Sequence, residues 1–244
     1  MKSVLVTGGT VRLGRAIAAR LRAEGWRVIT SSHRADAGAD IVADLSEPMG
    51  AAKLYAAVLQ ILGGTPPDAL VNNAALFTGD DAAIATVNLE APKKLTMLMA
   101  GREVGVGVVV NVLDSVALGS IGPVEPIGSV RAIGAAESIG PLESKGSVES
   151  TLNDFKRPYL DSKRELAAFT RSAAATFAAT LRVNGVAPGP VMAPTDVHEQ
   201  AGEMLLDRRP TADDVAAAVS YLLSAEATTG TVIPVDAGQN LLRA

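Results

Sequence analysis

The sequence contains no cysteine, so neither a disulfide framework nor a thiolate metal site is available to it. Aromatic residues make up only 3% of the 244 residues, and no extended basic run accompanies the net charge of −4, which argues against nucleic acid as the main partner. No apolar run is long enough to span a bilayer, and the first residues lack the pattern of a cleaved leader. We therefore expect a cytoplasmic protein with no nucleic-acid partner, no membrane partner and no metal.

Hydrophobic residues make up 48% of the chain, enough to bury the core of a single α/β domain over 1–244. Apolar runs predict strands at about 3–7, 26–31, 41–43, 69–72, 106–112, 181–186 and 231–235. Amphipathic patterns between most of them predict helices at about 13–24, 48–62, 81–103, 158–179 and 211–224. This alternation is typical of a doubly wound Rossmann fold, a parallel sheet of about seven strands with helices on both faces.

The first predicted strand runs through a glycine turn into the first predicted helix. Gly8 permits the tight turn, Gly14 lets the helix approach the sheet, and the backbone N–H groups at the start of such a helix form a pyrophosphate site. Arg12 stands where most such turns carry glycine, and its long cationic side chain would reach over a cofactor or its partner. The segment predicts nucleotide binding, although many strand-to-helix connections use glycine only as backbone punctuation.

Residues from Ile121 to Ser150 form five hexapeptides, four of which begin with isoleucine and glycine. A period of six is out of phase with a helix, and glycine or proline in every unit weakens both helix and strand. Five units would also make too few coils of a β-helix to bury a core. We expect a low-complexity insertion at about 118–152, which is a mobile or loosely packed segment, an ordered flap over the active site or a partner-binding element.

A tyrosine and a lysine follow this insertion at helical spacing. Pro158 is predicted in the first turn of a helix, where its missing N–H costs nothing. Tyr159 and Lys163 then lie on one helix face. An ammonium group about 6 Å from a phenol favours the ionised form of the phenol and lowers its pKa, which makes Tyr159 a usable proton donor near neutral pH. The pair also occurs by chance on helix surfaces, and it is the combination with the glycine turn that indicates catalysis.

Further motifs keep one order along nearly the whole chain outside the hexapeptides. They are Thr7-Gly8 through Gly14, Asp44-Leu45, Asn72-Asn73-Ala74, Asn88, Asn111 through Asp114, Tyr159 with Lys163, Arg182 through Gly189, and Val235 through Gly238. By these motifs the sequence resembles the short-chain dehydrogenase/reductase family. The resemblance implies an oxidoreductase that binds a nicotinamide cofactor and a small-molecule substrate, and that assembles as a homotetramer.

The sequence departs from the common pattern of that family at two places that concern the cofactor. At both places it resembles the pteridine reductases and the bacterial dihydromonapterin reductases. In those enzymes an arginine at the position of Arg12 reaches the cofactor phosphates and the pterin. Ser32-His33-Arg34 ends the second strand, where an NAD-specific enzyme usually carries an acidic residue. Because a guanidinium matches a 2′-phosphate with two parallel hydrogen bonds, this segment favours NADPH. The alternative is that His33 and Arg34 are solvated loop residues.

Two further departures concern the substrate. Asp114 lies three residues after Asn111, at the position of the usual catalytic serine, although a slip of one residue selects Ser115 instead. Phe77 resembles the ring on which a pterin stacks, and otherwise it is a core residue. Ala75 stands where the pteridine reductases often carry serine, which removes one expected hydrogen bond and leaves the substrate open.

The resemblance implies a role for each site residue. Tyr159 is the proton donor or part of a proton relay, assisted by Asp114. Lys163 holds the nicotinamide ribose, and Asn88 orders a water that refills the relay. The residues implied to line the cofactor are Gly8, Arg12, Leu13, Gly14, His33, Arg34, Asp44, Leu45, Asn73, Ala74, Lys163, Pro188 and Gly189. Those implied to meet a pterin substrate are Arg12, Phe77, Asp114 and Tyr159. Arg243 near the end of the chain resembles an arginine that enters a neighbouring subunit's site.

Three functions are consistent with these residues. The first is the NADPH-dependent reduction of a dihydropterin, such as dihydrobiopterin or dihydromonapterin, to the tetrahydropterin. The second is the reduction of a carbonyl compound, either a 3-oxoacyl thioester or a small ketone, with Tyr159 protonating the new alkoxide. The third is a dinucleotide-binding sensor or scaffold with little catalysis, acting through the hexapeptide block.

Overall fold

The computed structural model describes residues 1–103, 105–118, 149–191 and 204–242, with only the backbone described over 149–156. The strands are β1 (Ser3–Thr7), β2 (Arg27–Ser32), β3 (Ile41–Val42), β4 (Ala69–Asn72), β5 (Gly107–Val112), β6 (Leu181–Pro188) and β7 (Val232–Val235). The helices are α1 (Arg12–Ala23), α2 (Gly50–Ile61), α3 (Asp81–Ala85), α4 (Ala91–Ala100), α5 (Glu149–Thr176) and α6 (Ala212–Ser224). The strands pair in the order β3-β2-β1-β4-β5-β6-β7, all parallel, which confirms the predicted Rossmann fold.

Alternation along the strands builds one apolar core on each face of the sheet. In β1, Leu5 packs with residues of α2, α4 and α5, whereas Val4 and Val6 pack with residues of α1 and α6. All three side chains are fully buried. Successive strand residues face opposite sides of a sheet, so a strand covered on both faces carries apolar residues at consecutive positions. Each such side chain stabilises the fold by roughly 2 kcal/mol.

The strand order creates a crevice at the carboxyl edge of the sheet. The chain passes outward from β1 to β2 and β3 and then returns to the other side of β1 with β4. The loops after β1 and β4 consequently leave the sheet in opposite directions and open a cleft between them. The turn that follows β1 and the segments that follow β4, β5 and β6 all face this edge.

Two predicted helices differ from the structure. Helix α5 begins at Glu149, so Pro158 lies inside the helix, and its predicted place in the first turn is wrong. Residues 149–157 contain neither glycine nor proline, so nothing in their composition stops the helix from extending upstream of Pro158. The helix predicted at 81–103 is divided into α3, a π-helical turn over Thr86–Glu90, and α4.

The hexapeptide insertion predicted at about 118–152 lies mostly outside the described residues. A short 3₁₀ helix over Val116–Leu118 precedes it, and α5 already includes the last residues of the block. Within the described part of the chain, no helix is both long enough and apolar enough to cross a membrane.

Candidate active site

Two side chains hold the glycine turn after β1 against the loop after β4. Thr7 Oγ1 accepts hydrogen bonds from the backbone N–H groups of Asn73 and Ala74, each at 3.0 Å. In return, Asn73 Nδ2 donates to the carbonyl oxygens of Thr7 at 2.9 Å and Gly8 at 3.2 Å. The structure therefore brings Gly8, Asn73 and Ala74, three of the predicted cofactor residues, to one side of the cleft. The Thr7 hydroxyl thus holds the loop after β4 against the glycine turn, a role that its place in the sequence motif did not indicate.

The turn itself needs glycine at two positions. Gly8 has a φ of 62°, in the left-handed region that glycine tolerates best. A Cβ atom on Gly14 would lie 2.1 Å from the Gly8 carbonyl oxygen, so only glycine lets α1 approach the turn this closely. Arg12 begins α1 at a φ of 47°, which an L residue with a long side chain rarely adopts. Its side chain is exposed.

The start of α1 is suited to an anion. Val11 at the N-cap position supplies no side-chain hydrogen bond, and the first turn contains no acidic residue. Thr10 Oγ1, in the same turn, is buried and has no hydrogen-bond partner among the described residues. Leu13, also predicted to line the cofactor, is half-buried against the core on that face of the sheet. Backbone donors, an unpaired hydroxyl and the positive end of a helix dipole thus meet at one place.

The cationic segment after β2 carries an ion pair. Arg34 Nε donates to Asp36 Oδ1 at 3.0 Å, and Arg34 Nη2 donates to Asp36 Oδ2 at 2.7 Å. The hydrogen bond from Arg34 is the largest cause of the lowered pKa of Asp36. His33 is exposed beside this pair. The guanidinium predicted to meet the 2′-phosphate is therefore within reach of solvent and already holds a carboxylate.

Asp44 and Leu45 follow β3 and differ in their surroundings. Asp44 Oδ1 accepts hydrogen bonds from the Ser46 hydroxyl at 2.7 Å and the Ser46 backbone N–H at 2.8 Å. These two bonds lower the pKa of Asp44. Leu45 is buried in the core next to α2. Of the two, Asp44 presents the exposed polar group, and the predicted contact of Leu45 with the cofactor stays a prediction.

The predicted catalytic residues meet where the segment after β5 contacts the middle of α5. The Tyr159 hydroxyl donates a hydrogen bond to Asp114 Oδ2 at 3.1 Å. The other carboxylate oxygen, Oδ1, accepts from the backbone N–H of Val116 at 2.8 Å, which fixes the orientation of the carboxylate. The ring of Phe77 packs edge-on against the Tyr159 ring, with centroids 4.9 Å apart. A phenol, a carboxylate and an aromatic ring from three separate segments therefore share one corner of the cleft.

Lys163 completes this group from the same helix as Tyr159, one turn further along α5. Its Nζ lies 5.8 Å from the centroid of the Tyr159 ring and donates to the carbonyl oxygen of Val112 at 2.8 Å. The side chain is 2% exposed, and its burial lowers the lysine pKa to about 8, while the charge of Asp114 acts in the opposite direction. The ammonium is thus held by β5 on the helix face that also carries Tyr159, as the helical spacing predicts.

Ser115, the alternative to Asp114, does not reach the tyrosine hydroxyl. It is 2% exposed, and its Oγ has no hydrogen-bond partner among the described residues. Its backbone N–H donates to the carbonyl oxygen of Pro188 at 2.9 Å. The geometry therefore favours Asp114 as the partner of Tyr159, in agreement with its spacing from Asn111.

Asn88 is fully buried in the π-helical turn and joins two parts of the site. Its Oδ1 accepts from the Leu76 backbone N–H at 2.7 Å, and its Nδ2 donates to the Leu76 carbonyl oxygen at 2.9 Å and to Ser162 Oγ at 3.2 Å. Ser162 Oγ in turn donates to the Tyr159 carbonyl oxygen at 2.6 Å. Asn88 thus fixes the segment that carries Phe77, and its predicted water stays a prediction. Sequence reasoning missed Ser162, although its place between Tyr159 and Lys163 on the helix was a usable signal.

The far wall of the cleft forms at the end of β6. Pro188 is the last residue of the strand, and Gly189 packs so closely on Asp236 that a Cβ atom would lie 2.7 Å from the Asp236 Cα. Both predicted cofactor residues therefore stand at the carboxyl edge beside the Tyr159 group. The predicted intersubunit role of Arg243 falls outside the described residues.

Comparisons with known proteins place this geometry among nucleotide-dependent reductases. A family profile described as "Enoyl-(Acyl carrier protein) reductase" matches residues 138–240. The protein named "Granaticin polyketide synthase putative ketoacyl reductase 2" from Streptomyces violaceoruber is 30% identical over 261 residues, covering 98% of this chain and 96% of that protein. Pteridine reductase 1 of Leishmania tarentolae is 39% identical over 95 residues, covering 35% of this chain and 33% of that protein.

Solved structures show the same fold. The crystal structure of FolM alternative dihydrofolate reductase 1 from Brucella canis, complexed with NADP, is 27% identical to this chain and superposes with a TM-score of 0.74. The match covers 98% of this chain and 94% of the Brucella chain. The likeness therefore extends over nearly the whole length of both chains.

Proposed function

The chain belongs to the short-chain dehydrogenase/reductase family, and we propose that within it the protein is a reductase of dihydropterins that takes its hydride from NADPH. The observation that carries the substrate proposal is the hydrogen bond from the Tyr159 hydroxyl to the Asp114 carboxylate, 3.1 Å long, beside the ring of Phe77. The homotetramer and the cytoplasmic location expected from the sequence belong to the same proposal.

The residues at the cleft fit NADPH. The open start of α1, with the unpaired hydroxyl of Thr10 and the glycine turn at Gly8, suits the pyrophosphate. Arg34 at the end of β2 suits the 2′-phosphate, and Lys163 suits the nicotinamide ribose. NADPH, when bound, supplies the hydride, and the protein supplies position and electrostatics. The Brucella structure that shares this fold is complexed with NADP.

The proton side of the reaction depends on Tyr159 and its neighbours. The phenol is a proton donor beside the Phe77 ring, and its O–H is aligned by the Asp114 carboxylate. Lys163 lies below the phenol and favours loss of its proton, so that Tyr159 can protonate the ring nitrogen of the substrate. Val116 and Val112 fix Asp114 and Lys163 through the backbone, which keeps these side chains in place before substrate binds.

A carboxylate at position 114 favours a pterin over a ketone. An ionised carboxylate only accepts hydrogen bonds, and a pterin offers N–H donors on its pyrimidine ring. A ketone offers only an acceptor oxygen, which a serine hydroxyl can stabilise but a carboxylate repels. Phe77 adds an apolar ring face on which a flat heterocycle can stack. The FolM structure and the Leishmania pteridine reductase, by their names, are a dihydrofolate reductase and a pteridine reductase.

The test is to supply purified protein with NADPH and dihydrobiopterin or dihydromonapterin, against a panel of ketones and 3-oxoacyl thioesters. Turnover of a dihydropterin well above every carbonyl compound supports the proposal. Turnover of carbonyl compounds alone refutes the pterin assignment. Binding of NADPH without turnover of any compound would instead favour a sensor or scaffold.

Carbonyl reduction is the second candidate. The relative from Streptomyces violaceoruber, which matches nearly the whole chain, carries the name of a ketoacyl reductase. The residues that such a reaction requires, Tyr159 and Lys163, are in place. Against this candidate stands the carboxylate of Asp114, 3.1 Å from the Tyr159 hydroxyl that would protonate the substrate oxygen.

A further inference from the structure

We propose that Asp36 limits the preference of this protein for NADPH over NADH, because its carboxylate competes with the 2′-phosphate for the Arg34 guanidinium. The inference rests on the proposed use of NADPH and concerns a residue outside the catalytic group. It makes Asp36 a specificity-determining residue.

Arg34 holds the Asp36 carboxylate in the arrangement in which an arginine holds a phosphate. Arg34 uses two donors, Nε and Nη2, toward the two oxygens of Asp36, at 3.0 and 2.7 Å. This parallel two-bond arrangement is the one by which arginine recognises both carboxylates and phosphates. A 2′-phosphate can take that face of the guanidinium only after the carboxylate has left it. NADH has no 2′-phosphate and therefore meets no such competition.

The local fold keeps Asp36 within reach of Arg34. The 3₁₀ turn over Ala35–Ala37 brings the two side chains to the same side of the loop. At the other end of the loop, Asp40 Oδ2 accepts from the backbone N–H and from the hydroxyl of Thr30, both at 2.7 Å. The loop is thus attached to β2, and the competing carboxylate stays close to the guanidinium when a cofactor arrives.

Exposure makes the contact weak enough to be displaced. The side chains of Arg34 and Asp36 are 61% and 69% exposed, so water and salt screen their attraction. Asp36 nevertheless remains charged, since hydrogen bonding to Arg34 lowers its pKa. A carboxylate near the end of the second strand is also the group that holds ribose hydroxyls in NAD enzymes. Asp36 accordingly works against NADPH and toward NADH.

The experiment compares Asp36→Asn with the wild type in direct titrations of NADPH and NADH, followed by cofactor fluorescence without substrate. We expect the Kd for NADPH to fall about two- to five-fold, the range for an exposed ion pair, while the Kd for NADH stays level or rises. Glu226→Gln is the matched control, since it removes the same charge from the exposed loop between α6 and β7 at the opposite edge of the sheet. It should leave both constants unchanged.

A double-mutant cycle identifies the mechanism. In an Arg34→Ala background, Asp36→Asn should no longer tighten NADPH, because there is no guanidinium left to release. An unchanged ratio of the two constants in Asp36→Asn overturns the inference and leaves the proposed function standing. Equal tightening of NADPH in the Arg34→Ala background also overturns it, since the gain would then be a general charge effect. A wild-type protein that binds neither dinucleotide overturns the proposed function and this inference together.

Discussion

Arg12 begins helix α1 with a φ of 47°, and removing its side chain in two different ways separates backbone strain from the work of the guanidinium. An L residue in the left-handed region costs about 1 to 2 kcal/mol relative to the right-handed one. Glycine avoids that cost, but it gives up roughly 0.5 to 1 kcal/mol to the greater freedom of the unfolded chain. Arg12→Gly should therefore be about 0.5 to 1 kcal/mol more stable than Arg12→Ala.

The comparison between these two variants is sharper than either one against the wild type. Both lose the cation from the first turn of α1 and every contact of the guanidinium, so those effects cancel. For a chain of 244 residues, a difference of about 1 kcal/mol corresponds to roughly 2 to 4 °C in Tm. Thermal unfolding followed by circular dichroism measures this. If Arg12→Ala unfolds at the same temperature as Arg12→Gly, or above it, the left-handed backbone at position 12 is refuted.

The same pair of variants tests function. If the guanidinium contacts the substrate, both variants should lose dihydropterin turnover to a similar degree, and the Kd for NADPH should change less. If turnover in both variants equals that of the wild type, Arg12 has no part in substrate binding. A stabilised glycine variant with impaired turnover would show that this position exchanges stability for function.

Three further predictions concern the same cleft. Burial lowers the pKa of Lys163 from 10.5 to about 8, so between those pH values the unfolded chain binds more protons than the folded one. The free energy of unfolding of the wild type relative to Lys163→Met should therefore rise by about 3 kcal/mol from pH 8 to pH 10.5 in urea titrations. A flat difference across that range would contradict the burial of a titrating ammonium. Gly14→Ala should lower Tm strongly and abolish NADPH binding, since its Cβ would meet the Gly8 carbonyl oxygen at 2.1 Å, whereas Gly101→Ala, whose nearest neighbour atom lies at 3.6 Å, should do neither. Ser162→Ala should cost about 1 to 3 kcal/mol in urea unfolding because it removes a hydrogen-bond partner of buried Asn88, and a neutral outcome would mean that this contact is dispensable.

Much of this fold was predictable because each strand carries its own signal. A strand buried on both faces is mostly apolar along its length, as β1 and β5 are, and Gly8 marks the end of β1. Helix boundaries were less predictable where a single residue decided them. The missing N–H of Pro158 is compatible with the first turn of a helix, so the sequence alone favoured a start there. The structure shows instead that α5 begins upstream, at Glu149.

The candidate site was predictable where spacing along one element fixes distance. Tyr159 and Lys163 lie on one helix face, as their spacing predicts. The pairing of Tyr159 with Asp114 was implied only by the family resemblance, and the structure shows it as a hydrogen bond. Contacts between separate segments were not predictable in this way. The link from Asn88 through Ser162 depends on a π-helical turn, which has no signature in composition.

The Arg34 ion pair shows a different limit. The residue type was sufficient to predict a phosphate partner, but the nearby carboxylate of Asp36 was not weighed against it. Opposite charges two residues apart usually do not face each other, and here the 3₁₀ turn over Ala35–Ala37 brings them together. The choice of partner therefore depends on local backbone geometry that the sequence pattern alone did not indicate.

If the carboxylate at position 114 directs this reductase to a pterin, its replacement by a hydroxyl must change the preference between pterin and ketone. The ratio of kcat/KM for a dihydropterin to kcat/KM for the best ketone is determined with NADPH in the wild type and in Asp114→Ser. We expect a ratio well above one in the wild type and a fall of at least about tenfold in the variant, because the variant loses one charge-assisted contact in the transition state. A wild-type ratio below one, or a ratio that Asp114→Ser leaves unchanged, would contradict this expectation.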